Sequence, residues 1–341
     1  MDKRTTPFSG RVAHVSLQGQ VKAHFTEGEF AQIVVPLTNL LDKPGGARTR
    51  QLLLGSNVLL IDRDQGHVFV QSLRDGYCGW IQEKSVGRGP EVTHWVAAPA
   101  THLYTEPLVQ SPETASLSLG ARLAVIGAWG AWANTPYGYV PMCHIRPLDH
   151  EAPDPVSVAE SLLGTPYLWG GNSSFGIDCS GLVQASLLAT GRHCPGDSDM
   201  QMSMGRALAP NDTLQRGDLV FWRGHVAMVV NESLLIHANG HTMSVSYEGI
   251  REAIARIHGG GEGGERVGRP VGQIEFRRDG DVLGAPFGDG KSPRPEQATT
   301  RVASQRVLAG AYAPSGTGED QGGGRILRGS GERKACFGNG L

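Results

Sequence analysis

The sequence has no long apolar run. Nowhere does it approach the roughly 18 consecutive apolar residues of a membrane-spanning helix, so no part of it reads as a membrane segment. Its opening residues, Met1-Asp2-Lys3-Arg4-Thr5-Thr6-Pro7-Phe8, hold no apolar segment of the secretory type. Charge of one sign is not in excess either. The net charge is −2 and the pI about 6.6, which gives no field for nucleic acid or an acidic membrane surface. Cysteine is scarce: there are five, an odd number at scattered positions, which is no disulfide framework. Such usage fits a reducing compartment, and the expectation is a cytoplasmic protein. There is also no C-x-x-C pair. Cys179, Cys194, His193, His225 and His237 offer zinc-binding atoms without the paired spacing of a zinc site, and no metal or other cofactor is expected.

What the chain does have is one dense stretch, Leu163-Gly164-Thr165-Pro166-Tyr167-Leu168-Trp169-Gly170-Gly171-Asn172-Ser173-Ser174-Phe175-Gly176-Ile177-Asp178-Cys179-Ser180-Gly181-Leu182-Val183. Turn-forming residues lead through Asp178-Cys179-Ser180-Gly181 into a run that reads as a helix, Leu182 to Ala189. Cys179 therefore stands at a helix N-terminus, where free N–H groups and the helix dipole favour an anion. A thiol there is expected to ionise below its usual pKa of about 8.5, which suits a nucleophile.

Downstream, Gly217-Asp218-Leu219-Val220-Phe221-Trp222, then Val226 to Val230, then Leu234 to Ala238 read as strands, the last two joined by Asn231-Glu232-Ser233. Folding that hairpin at Asn231 sets His225 and His237 opposite each other on one face. The three parts of an activated thiol follow: Cys179 as nucleophile, His225 as base and later acid, His237 orienting His225. Asn239, on the same strand face as His237, is the alternative for the third role.

Thr165-Pro166-Tyr167-Leu168-Trp169-Gly170-Gly171, Asp178-Cys179-Ser180-Gly181, Gly217-Asp218-Leu219, Gly224-His225-Val226-Ala227 and Ile236-His237-Ala238 together resemble the NlpC family of cell-wall cysteine peptidases over about residues 155–258. The resemblance implies a papain-like α+β core and cleavage of peptidoglycan peptides, commonly between γ-D-glutamate and a diamino acid. It also implies that Tyr167, with the Cys179 N–H, binds the developing oxyanion. A cytoplasmic member would act on wall fragments brought inside, so cell-wall muropeptides are the expected partners.

Residues 1–30 are polar and of undecided structure. Residues 31–90 read as short strands with turns at Asp62 to Gly66 and Asp75-Gly76, and residues 91–148 repeat the pattern. Thr38-Asn39-Leu40 matches Thr101-His102-Leu103, Gly55 matches Gly120, and Gly79-Trp80-Ile81 matches Gly138-Tyr139-Val140. A period of about 60 residues in β-rich sequence means two copies of one small barrel, and both copies resemble bacterial SH3-like domains. The resemblance to cytoplasmic relatives implies that the first such domain closes one end of the cleft. There a Tyr and an acid, with the Asp before the catalytic Cys, grip the free amine of an N-terminal L-alanine. Asp178, Ser180 and Ser198 match substrate-contacting positions, with Tyr77 and Asp42 as candidates for the Tyr and the acid.

Residues 149–155 read as a linker, Ser157 to Leu163 as a short helix, Ser246 to Ile257 as a helix, and Gln273 to Arg278 as a last strand. The papain-like domain thus spans 149–280. From 281 to 341, Gly, Pro, Arg and Ser dominate without periodicity, and disorder is expected. The implied activity is an endopeptidase on the γ-D-glutamyl–diamino acid bond (meso-diaminopimelate or L-Lys) that releases L-Ala-γ-D-Glu. The alternatives are a non-catalytic wall-fragment binder, for which the Cys179/His225/His237 set would be superfluous, and an acyltransferase or amidase on the same site.

Overall fold

A computed structural model describes residues 1–208, 212–259 and 272–275. The expected tail from 281 to 341, Cys336 and positions 276–278 of the expected last strand lie outside the described residues.

The first β domain is an antiparallel sheet ordered Arg48–Leu53, Leu37–Leu41, Cys78–Gln82, His67–Ser72, Asn57–Asp64, Glu29–Ile33, Val86–Gly87. Its inward residues, Ile33, Leu40, Val58, Val68, Val70 and Ile81, form one buried cluster. The turn expected over Asp62 to Gly66 is narrower than the sequence suggested. Only Gln65 and Gly66 turn, at φ 48° and 71°, the mirror-image geometry that suits strand twist. Asp62 stays in its strand, buried, because Arg11 Nε (2.8 Å) and Ser9 Oγ (2.7 Å) donate to its carboxylate. The N-terminal segment therefore wraps this domain. It also reaches further: Arg4 donates to Asp197 (2.8 Å) and to Asp199 (2.7 Å), far along the chain.

The second β domain repeats the first in its pairing. Leu37–Leu41 pairs with Arg48–Leu53 and with Cys78–Gln82, and Ala100–Tyr104 pairs likewise with Glu113–Ser118 and Gly138–Pro141. The register slips at equivalent points, between Leu40 and Leu41 and between Leu103 and Tyr104. Gly55 and Gly120 both take positive φ, 76° and 84°, which only glycine adopts without strain.

The third domain holds the site. Its antiparallel sheet is ordered Arg206–Ala207, Gly272–Glu275, Leu219–Trp222, His225–Asn231, Leu234–Asn239, Ser244–Gly249. On one face lie α1 (Pro155–Glu160) and α2 (Cys179–Ala189), where Leu182, Val183 and Leu187 pack against Phe221, Val226 and Met228. Asp154 caps α1 by accepting from the Val156 and Ser157 N–H groups, with Pro155 at the first helical position. A short helix, α3 (Ser198–Gln201), follows α2. The opposite face carries α4 (Ile250–Gly259), whose Ile250 and Ala253 meet Val220, Trp222 and Val229. The helix expected from Ser246 starts only at Ile250. Ser244–Gly249 is the edge strand instead, with Ser246 opposite His237 and Glu248 opposite Leu235. The helical spacing of Ile250, Ala253, Ile254 and Ile257 begins only there, and the residues before it complete the ladder.

The first β domain abuts the loop that leads to α2. Arg48 Nε donates to the Trp169 carbonyl (2.9 Å), while Gln51 and Asn172 each donate a backbone N–H to the other's side-chain oxygen. Gly170 makes this approach possible: its φ is +69°, and a Cβ there would sit 2.7 Å from the Thr49 carbonyl oxygen. Gly170→Ala is expected to destabilise the protein by about 1–3 kcal/mol, measured by urea unfolding, and to lower activity because the strained loop carries the nucleophile.

Candidate active site

Asp178 fixes the start of α2. Its Oδ1 accepts from the Gly181 N–H (2.6 Å) and the Ser180 hydroxyl (3.1 Å), and its Oδ2 accepts from the Gly170 N–H (2.9 Å). One carboxylate thus caps the helix and ties down the glycine loop. Burial pushes its pKa up, against the pull of Arg50 and these donors.

Cys179 is the first residue of α2 and only 7% exposed. The N–H groups of Val226, Ser180 and Cys179 itself favour its thiolate, but burial and the Asp178 charge oppose it, and the thiol is pushed up to about 12. The sequence-based expectation of a lowered pKa is therefore corrected. The helix N-terminus is present, yet desolvation outweighs it. His225 is likewise pushed down to about 3 by burial and by His237. Burial thus favours the neutral form of both the thiol and the imidazole.

The hairpin carrying the imidazoles is not symmetric. It turns at Glu232-Ser233 rather than at Asn231 and slips by one residue between Val229 and Asn231, so Met228 opposes Ile236 rather than Leu234. The two rings still meet: His225 Nε2 and His237 Nδ1 are 2.9 Å apart, with ring centroids at 5.1 Å. His237 is 1% exposed, and its Nε2 lies 3.0 Å from Glu248 Oε2. Arg256 grips the same carboxylate through Nε (2.9 Å) and Nη2 (2.8 Å) and holds its pKa below the usual range.

Glu248, at ion-pair distance from His237 Nε2 though outside hydrogen-bond geometry, favours one arrangement of the protons. An anionic Glu248 calls for N–H at His237 Nε2. That leaves His237 Nδ1 as acceptor for the His225 Nε2–H, and His225 Nδ1 as a free base. Asn239 does not compete for the third role. Its amide donates to Ser246 Oγ (3.0 Å), and its oxygen accepts from the Thr242 N–H (2.8 Å). Sequence reasoning missed Glu248 because that segment read as helix. Read as a strand beside Leu234–Asn239, its alternation with Ser246 was the available signal.

The other expected residues divide. Tyr167 is half-buried against the core of the third domain, held by its N–H to the Met243 carbonyl (2.9 Å) and by a bridge to Ile177 just before Asp178. Ser180 touches Asp178, and Ser198 opens α3, buried, three residues before Gln201, whose Nε2 donates to the Ser180 carbonyl (3.0 Å). Tyr77 and Asp42 are not brought to Asp178. Tyr77 is buried, its hydroxyl donating to Asp197 (3.0 Å), because its ring fills the first-domain core and stacks by Arg50. Asp42 instead closes its own hairpin turn by accepting from the Ala47 N–H (2.8 Å). His237 and His241 have a spacing used by some zinc ligands, but among the described residues no three of His, Cys, Asp and Glu gather to hold a metal.

Because Asp178 pushes the thiol up, Asp178→Asn is expected to lower the pH midpoint of Cys179 alkylation by iodoacetamide. In the unaltered protein that midpoint should lie above the roughly 8.5 of a free thiol. Stopped-flow alkylation against pH checks both.

Residues 164–258 match the model of the NlpC/P60 family, and residues 40–86 match that of the bacterial dipeptidyl-peptidase SH3 domain. The chain is 26% identical to dipeptidyl-peptidase 6 of Lysinibacillus sphaericus over 61% of this chain and 87% of that protein. It is 28% identical to gamma-D-glutamyl-L-lysine dipeptidyl-peptidase of Bacillus cereus over 55% of this chain and 66% of that one. In fold it is similar to the crystal structure of an NlpC/P60 family protein from Bacillus cereus, with TM-score 0.61 and 22% identity over 73% of this chain and 99% of that chain. With the matched segments and the Cys179–His225–His237 arrangement together, residues 164–258 are an NlpC/P60 cysteine peptidase domain and residues 40–86 a bacterial SH3 domain, in a chain similar to the gamma-D-glutamyl-L-lysine dipeptidyl-peptidases.

Proposed function

We propose that the protein hydrolyses the γ-D-glutamyl–diamino acid bond of cell-wall peptides that begin with a free L-alanine, releasing L-Ala-γ-D-Glu. The observation that carries this reading is the half-buried Asp178 carboxylate next to the nucleophile. Burial opposes its charge, and an ammonium group in the cleft would relieve that cost. An ammonium there without an anionic partner would itself cost several kcal/mol. The relatives named as gamma-D-glutamyl-L-lysine dipeptidyl-peptidases support the bond and the chain end. Substrates of this kind are peptides already released from the wall, and we place the work in the cytoplasm.

Substrate completes the chemistry. As the thiol attacks the γ-carbonyl carbon, its proton passes to His225 Nδ1. The oxyanion is met by the Cys179 N–H and the Tyr167 hydroxyl. Collapse of the tetrahedral intermediate breaks the C–N bond, and His225 gives the proton to the leaving amine. Water, deprotonated by His225, then hydrolyses the thioester. His237 and Glu248 stabilise the imidazolium that forms in each half.

Two measurements test this. Mass spectrometry of L-Ala-γ-D-Glu-L-Lys, its meso-diaminopimelate counterpart and their N-acetylated forms should show cleavage of the free-amine peptides only, abolished in Cys179→Ala. Equal cleavage of the acetylated peptides would remove the amine clamp. Glu248→Gln should lower kcat by about 10–100-fold with KM little changed. Glu248 raises the pKa of both imidazoles, so its neutral replacement should move the acid limb of the kcat profile to lower pH.

A further inference from the structure

Behind α2, away from Cys179, the three domains enclose a cavity of about 180 Å³. The first β domain contributes Arg74 and Tyr77, the second Trp95 and Arg122, and α2 contributes Gln184 and Leu188. Leu188 is nine residues along the helix from Cys179, about 13 Å at the rise of an α-helix. The cavity reaches Asn172 of the loop before the nucleophile, but Cys179, His225 and His237 are not among its lining residues.

Its charges are unevenly satisfied. Arg50 also lines it, but that guanidinium is engaged by Gly196, Asp197 and Gln184. Among the described residues, Arg74 and Arg122 have no acceptor at hydrogen-bond distance and no carboxylate at ion-pair distance; Arg74 has only a backbone hydrogen bond. Two acidic residues share the lining. Asp75 accepts from Gln184 Nε2 (2.8 Å) and from the Tyr77 N–H (3.2 Å), and acts on Arg74 only through space. Glu151 lies at the exposed rim, over Gly191. Burial and the charge of Arg122 push Arg74 down to about 10, and burial lowers Arg122 as well. Two like charges facing one partly desolvated space cost stability unless an anion joins them. Guanidinium forks suit carboxylates bidentately. The lining also includes Leu53, Leu119 and Leu188, and the space exceeds what a lone oxyanion fills.

We propose that this junction is a binding site for a small aliphatic dicarboxylate, its two carboxylates held by Arg74 and Arg122 and its carbon chain against the leucines. Such a ligand would join both β domains to the helix that carries the nucleophile.

Calorimetric titration of the full chain with glutarate, butyrate and inorganic phosphate tests it. Glutarate should bind, butyrate at least tenfold more weakly, and Cys179→Ala should bind glutarate unchanged. Arg74→Gln and Arg122→Gln should each weaken glutarate at least tenfold. Without ligand, neither variant should melt below the unaltered protein, since each removes an unpaired charge. No binding of any anion, undiminished binding by both variants, or a lower melting temperature of both would overturn the proposal. Tighter binding of phosphate than of glutarate would overturn the ligand class.

Discussion

Arg50 leaves the first β domain and ends inside the peptidase domain. Its guanidinium donates to the Gly196 carbonyl and to Gln184 Oε1 (2.7 Å), pairs with Asp197 (3.2 Å), and lies over the Tyr77 ring. The side chain is almost wholly buried. A charge in such a place is tolerable only with its donors satisfied, so this one group dictates much around it. It fixes Gln184 on α2, the approach to α3, and the orientation of Tyr77. It is also the positive charge that offsets the burial of Asp178. The catalytic helix is therefore held in part by a domain that contributes none of the reacting groups.

The site itself is a contest between dipole and desolvation. Asp178, as cap, is what makes the helix start at Cys179, and its charge is one of the forces that keep the thiol protonated. The same burial keeps His225 neutral. The resting enzyme is therefore poised rather than charged. In the amine clamp we propose, a substrate cation at Asp178 would let the proton cross to an imidazole already oriented from behind.

Much of this was legible in the sequence, and the pattern of what was not is physical. Cys179 at a helix start, with His225 and His237 on a hairpin, could be read because turns, helix starts and strand alternation are local. The duplication of the β domain could be read because Gly55 and Gly120, and the aromatic after Gly79 and Gly138, meet the same backbone demand twice. The meeting of the imidazoles could be read too, but not the register at which they meet, since a bulge has no sequence mark strong enough to place it. Nor could the partners of Tyr77 and Arg50, which lie more than a hundred residues away. Glu248 was hidden by a strand that runs without a break into helical periodicity.

Arg4 has a consequence for how the chain is made. Its partners, Asp197 and Asp199, follow it by 193 and 195 residues. At ribosomal speeds of about 5–20 residues per second, those carboxylates emerge roughly 10–40 s later. Until then the opening segment can wrap the first β domain but cannot fasten its end. That latch thus waits on partners made 193 and 195 residues after it. That long loop can close only once α3 has been made, with the peptidase strands from Leu219 onward still to follow.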